Sequence, residues 1–207
     1  MSTLSLFYCP QTRCRTVLWM LEEVGADYKL VPINIRNDIE SEAYAVINPM
    51  RKVPALQVGN ELVTETAAIC LYLAEAYPDA GLAPMPGDAG RASLLRWMFF
   101  GSAVLEPAAF DKASGREGPS GALGWGNWER AMNTLKSALE GKDYLVNDRF
   151  SVADVALGST MAFLMQFNMM EKDPLFVAYV ERITARPAFQ KASQIDAEHA
   201  ASAAPAQ

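Results

Sequence analysis

The chain has 207 residues, 51% apolar and 20% charged, a balance that supports a folded protein with a real core and argues against disorder. Its formal charge of -6 and pI near 4.9, with no block of Lys or Arg to override them locally, exclude nucleic acid as a favoured partner. One histidine, His199 in an Ala-rich tail, and three irregularly spaced cysteines give no basis for a zinc site, a Ser/His/Asp triad or a disulfide framework.

Thr3 to Tyr8 (TLSLFY) is rich in strand formers and ends at Cys9-Pro10, so it reads as a strand. Arg13 to Val24 carries Val17, Leu18, Leu21 and Val24 at helical spacing and stops at Gly25. Tyr28 to Ile35 reads as a second strand, which after a helix implies parallel pairing through a right-handed crossover. A short helix over Ser41 to Ile47, a hairpin of Ala55 to Val58 and Leu62 to Thr64 around Gly59-Asn60, and a helix from Glu65 to Tyr77 follow. The order βαβαββα thus fills residues 1–78.

Residues 79–88 lie in a stretch rich in proline and glycine and read as a linker. Residues 89–207 show no strand and form an expected all-helical domain. A long helix runs from Gly90 to about Lys112. The glycine-rich loop Ser114 to Gly126 precedes a helix from Asn127 to Leu139. In FSVAD, residues 150 to 154, Ser151 and Asp154 have the spacing of a capping box. Val152 to Met170 is apolar enough to raise a membrane span, but it contains Asp154, Gln166 and Asn168 and reads as a buried central helix. Helices over Pro174 to Arg186 and Pro187 to Ser193 end the pattern. The N-terminus lacks the features of a secretory signal, so a cytoplasmic location is expected.

Two short segments carry chemistry. In KVPAL, residues 52 to 56, a Val-Pro step entering a strand suits a cis peptide, which would turn the Val53 backbone outward to pair with an extended peptide. A trans proline opening an edge strand fits the same dipeptide. In TETAA, residues 64 to 68, the amides of a helix start and the Thr66 hydroxyl can seat a carboxylate while Glu65 holds an ammonium. Alternatively, Glu65 complements the helix dipole and Thr66 caps.

RTVLWMLEEVGADY, NPMRKVPAL, ETAAICLYLAEAYP and FSVADVAL, in that order and spacing, resemble the cytosolic glutathione transferases, bacterial-type members that use Ser, Thr or Cys in the first turn instead of Tyr. The resemblance covers nearly the whole chain. It implies a thioredoxin-like α/β N-terminal domain, an all-α C-terminal domain, a homodimer, and glutathione as co-substrate with no cofactor or metal. It also implies that Val53 before a cis Pro54 pairs with the cysteinyl part of glutathione, that Glu65 and Thr66 hold its γ-glutamyl end, that Lys52 meets its glycine carboxylate, and that Gln11 lies in the same pocket.

The thiol end varies within the family. The hydroxyl of serine-using relatives falls at Gln11 or Thr12, and Gln11 has none, so Thr12 is the expected sulfur donor with Arg13 adding positive charge. Cys9 is the competing group: FYCPQT resembles the CPxC turn of glutaredoxins, and a sulfur near the positive end of a helix favours thiolate. Cys14, one turn into the helix, is expected to pack, and Cys70 to lie in the core or a subunit interface. Trp97, Phe100, Val104 and Phe110 are candidates for the apolar wall of a second-substrate site where the two domains meet. The implied activity is addition of glutathione thiolate to a small hydrophobic electrophile. Glutathione-dependent disulfide exchange and a non-catalytic protein-binding module are the alternatives.

Overall fold

The computed structural model describes residues 3–116 and 118–203. They form two compact units, one running to Ala80 and resuming at Arg186, the other spanning Gly81–Ala185.

The first unit begins with β1 (Leu4–Tyr8), α1 (Cys14–Val24) and β2 (Tyr28–Pro32). β1 pairs in parallel with β2, and α1 is the crossover that parallel pairing requires. Val17, Leu18 and Leu21 are fully buried on α1. The helix ends where Gly25 turns left-handed at φ 65° and the Ala26 amide donates to the Leu21 carbonyl at 3.1 Å, a geometry in which glycine has no Cβ to clash. β2 stops at Pro32 instead of reaching Ile35. Beyond it Asn34 and Asp38 close a turn, the Asp38 carboxylate accepting from the Asn34 amide at 2.7 Å, and short polar side chains of this kind draw backbone out of a ladder.

α2 (Glu42–Ile47) follows, its Tyr44 amide donating to the Ser41 hydroxyl at the N-cap. Then come β3 (Ala55–Val58), β4 (Glu61–Thr64) and α3 (Thr66–Ala76). The sheet order is β2-β1-β3-β4, with β3 antiparallel to both β1 and β4.

The second unit is helical. α4 (Arg91–Phe100) passes through a π-helical stretch at Gly101–Leu105 into α5 (Glu106–Ala113), where the sequence predicts one unbroken helix. Pro107 accounts for the break, because it has no amide to donate to the preceding turn. α6 (Trp128–Leu139), α7 (Val152–Gln166) and α8 (Pro174–Thr184) complete the unit. The apolar run 152–170 divides: Met161, Leu164, Met165 and Met170 are buried, whereas Gln166, Phe167 and Asn168 are exposed. No described helix is long and apolar enough to cross a membrane.

α9 (Pro187–Ala203) belongs to the first unit, although the sequence reading set residues 89–207 apart as one helical domain and ended this helix at Ser193. Its continuation, residues 194–203, holds four alanines besides Gln194 and Glu198, all good helix formers. It is anchored on α1: Phe189 meets Trp19 edge-on with ring centroids 5.0 Å apart, Arg186 grips both Glu23 oxygens at 2.7 and 2.8 Å, and Lys191 pairs with Glu22 at 2.6 Å.

Candidate functional site

Strand register gathers the motifs. Phe7 pairs with Ala55 across β1 and β3, and Ala55 pairs with Thr64 across β3 and β4. The end of β1, the start of β3 and the end of β4 therefore share one edge of the sheet. The turn Cys9–Arg13, the Val53–Pro54 step and the Glu65–Thr66 helix start all leave from that edge.

The Val53–Pro54 peptide is cis. The residue before it is fixed from behind, because the Tyr44 hydroxyl and the Asn48 side-chain amide both donate to the Lys52 carbonyl at 2.8 Å. Val53 packs its side chain against the cluster of Phe7, Tyr44 and Ala55, and Pro54 is buried while Lys52 is exposed.

At the head of α3, Glu65 precedes the helix instead of starting it. It holds φ 67° and ψ 115°, a backbone conformation that non-glycine residues adopt only when their surroundings enforce it. Its carbonyl accepts from the Ile69 amide at 2.9 Å, and its side chain is exposed. The first amides of α3, from Thr66 onward, have no partner within the helix and form a seat for an anion.

The third motif is the turn between β1 and α1. Thr12 Oγ1 donates to the Cys9 carbonyl at 2.7 Å and accepts from the Cys14 amide at 3.2 Å, so this hydroxyl caps α1. Cys14 is fully buried; its sulfur accepts from the Cys9 amide at 3.4 Å, and burial pushes its thiol up to about 11. Cys70 is likewise fully buried and is pushed up to about 12. Cys9 is half-buried, with its thiol donating to the Pro10 carbonyl at 3.6 Å. Burial raises this thiol, the Asp196 carboxylate raises it further, and a hydrogen bond from the Ile35 backbone only partly offsets them. Burial and the Asp196 carboxylate thus act against the thiolate that the nearby helix end would favour. Arg13 is half-buried in the same turn.

Asp196 is the residue that sequence reasoning missed. It lies on α9, is 4% exposed, and accepts from the Tyr8 hydroxyl at 2.5 Å and from the Gln11 amide at 3.2 Å to each oxygen. Tyr8 is buried, and burial followed by Asp196 raises its hydroxyl far above the usual tyrosine range. Gln11 holds φ 59° with an exposed side chain. His199, one turn beyond Asp196, meets the Tyr8 ring edge-on at 5.5 Å. The available signal was spacing: Ala192, Asp196 and His199 fall on one helical face.

In the second unit, Trp97 and Phe100 are buried and meet edge-to-face with centroids 5.2 Å apart. Val104 sits half-buried in the π-helical stretch, and Phe110 is 58% exposed. Nearby, Leu123, Trp125 and Trp128 line a cavity of about 400 Å³ with Asp111, Lys112 and Arg116.

Residues 8–76 match the family model described as glutathione S-transferase, N-terminal domain, and residues 127–187 the corresponding C-terminal domain. A glutathione S-transferase of Hyoscyamus muticus is 28% identical over 85% of this chain and 90% of its own length. Maleylacetoacetate isomerase of Rattus norvegicus is 30% identical over 70% of each chain. The solved structure of a sphingomonad glutathione S-transferase complexed with glutathione superposes with a TM-score of 0.77 at 28% identity, covering 93% of this chain and 98% of that one. Sheet, helices and motif order agree with these matches, and the chain belongs to the glutathione S-transferase family.

Proposed function

We propose that the first unit binds glutathione along the sheet edge and makes its thiol reactive toward small hydrophobic electrophiles. The observation that carries this reading is Glu65, held at a positive φ at the head of α3. In such a complex the Val53 backbone pairs with the cysteinyl part of glutathione. Glu65 takes the ammonium and Thr66 with the first α3 amides takes the carboxylate of the γ-glutamyl end. Lys52, exposed beside Val53, meets the glycine carboxylate, and Gln11 borders the sulfur.

The Thr12 hydroxyl is the donor we assign to that sulfur. Its proton now goes to the Cys9 carbonyl; redirected to a thiolate it makes a charge-assisted bond, and each unit by which the thiol pKa falls needs only about 1.4 kcal/mol. The α1 terminus and Arg13 add positive potential. For the electrophile, Val104 and Phe110 are the two of the four apolar candidates that are not buried, whereas Trp97 and Phe100 are buried and pack on each other. Thiol activation of glutathione is the reading adopted over disulfide exchange at Cys9, because burial and the Asp196 carboxylate both raise that thiol.

A homodimer in the cytoplasm completes the proposal. Val46 and Met50 of the first unit and Phe99 of the second are exposed apolar side chains that a second copy would cover, and the three cysteines are free. Calorimetric titration tests the binding site: wild type should take up glutathione and Glu65→Ala should bind it about tenfold or more weakly. Equal affinity in the two proteins overturns the assignment of Glu65, and no uptake by wild type overturns the proposed function.

A further inference from the structure

We propose that Asp196 is a positioning residue for the thiol end of the site: from α9 it holds Tyr8 and Gln11, and so fixes the turn that presents Thr12. This inference rests on the glutathione site proposed above. The Gln11 amide and the Asp196 carboxylate are 185 positions apart in the chain, so the contact is supplied by tertiary structure alone. Gln11 at φ 59° adopts a conformation that persists only where neighbours determine it, and the two Asp196 oxygens are what its amide meets. The same carboxylate holds the last residue of β1 through the Tyr8 hydroxyl. Thr12 follows Gln11 directly, and its hydroxyl bridges the Cys9 carbonyl and the Cys14 amide. A carboxylate that releases Gln11 therefore releases the group assigned to the sulfur.

Charge acts in the opposite direction. Among the described residues, the titratable groups that interact with Asp196 or with its partner Tyr8 include Tyr8 on β1, Cys9 in the turn, Cys14 on α1 and, across the Tyr8 ring, His199 on α9. Negative potential here opposes formation of a thiolate. Electrostatics alone would call for a basic residue, so what Asp196 supplies is position. This separates the two substitutions that test it. Asp196→Asn keeps an acceptor for the Gln11 amide and removes the charge; Asp196→Ala removes both.

The test measures kcat for conjugation, glutathione Kd, thermal midpoint and amide hydrogen exchange across residues 9–14. Asp196→Ala should lower kcat about tenfold or more with Kd within about threefold of wild type, and speed exchange in the turn. Asp196→Asn should restore kcat to within about threefold of wild type and restore slow exchange. Tyr8→Phe, which keeps the ring and removes one donor, should fall between them and serves if the alanine variant does not fold. Wild-type kcat and exchange in Asp196→Ala overturn the inference, as does an equal loss in Asn and Ala, or a fall in kcat that merely follows Kd and the thermal midpoint. If wild type takes up no glutathione, the proposed function fails, and hydrogen exchange still decides whether Asp196 holds the turn.

Discussion

Asp154 and Asp196 are the two buried aspartates among the described residues, and they serve different ends. Asp154, at the first turn of α7, accepts from the Ser151 amide and hydroxyl through one oxygen and from the Leu145 amide and Tyr179 hydroxyl through the other. It joins a helix start, a loop and α8 inside the second unit. Asp196 lies well along α9 and receives its donors from β1 and the Cys9–Arg13 turn of the first unit. The first carboxylate completes a stretch of core, whereas the second touches a turn left half-open to solvent. A buried carboxylate is tolerated where its donors are complete, but only one beside an accessible turn can govern chemistry.

The largest effect should therefore be on stability and at Asp154. Asp154→Ala leaves four donors without their partner and should destabilise by about 3–5 kcal/mol, seen in chemical denaturation, while glutathione affinity below the melting range stays within about twofold of wild type. A variant that loses binding as much as stability would erase the distinction between the two carboxylates.

Next comes Thr12. Thr12→Val should reduce kcat about tenfold to a hundredfold and raise the pKa of bound glutathione, with a loss of about 1 kcal/mol in stability from the missing cap. Thr12→Ser, which keeps the hydroxyl, should recover most of the rate. Recovery of stability without recovery of rate would reduce Thr12 to a cap. Cys9→Ser should leave conjugation within about threefold of wild type; a larger loss would return Cys9 to the mechanism.

The buried thiols give the smallest effect. Cys14 and Cys70 are pushed up to about 11 and about 12 when folded, well above the ordinary cysteine range. The unfolded chain therefore loses these protons first, and stability falls as pH rises from about 9 toward 11 to 12. Cys70→Ala should lessen this alkaline loss, read as thermal midpoint against pH. Alkylation of the native protein at mildly alkaline pH should mark Cys9 alone, as mass spectrometry would show; modification of Cys14 at a similar rate would mean that the turn opens freely.

What was legible in the sequence follows the same division between local and distant contacts. The capping box lies within four residues, so Ser151 and Asp154 announce the start of α7. Gly25 announces the end of α1, and Val53-Pro54 and Glu65-Thr66 mark a strand entry and a helix start, whereas the positive φ of Glu65 has no local signal because its surroundings impose it. The early end of β2 has a local signal, since Asn34 and Asp38 favour a turn. The break in the long helix is also local, since Pro107 cannot donate to the turn before it. The full length of α9 and the role of Asp196 depend on packing against β1 and α1, and no spacing within the helix reveals the partner.

The most direct test of the central claim is the ultraviolet thiolate absorbance of glutathione bound at saturation, titrated against pH beside free glutathione. The expected midpoint lies at least about one unit below that of the free thiol, near its ordinary value of about 8.5. Coincident midpoints would mean that the protein does nothing to the sulfur, and would contradict thiol activation at the Cys9–Arg13 turn.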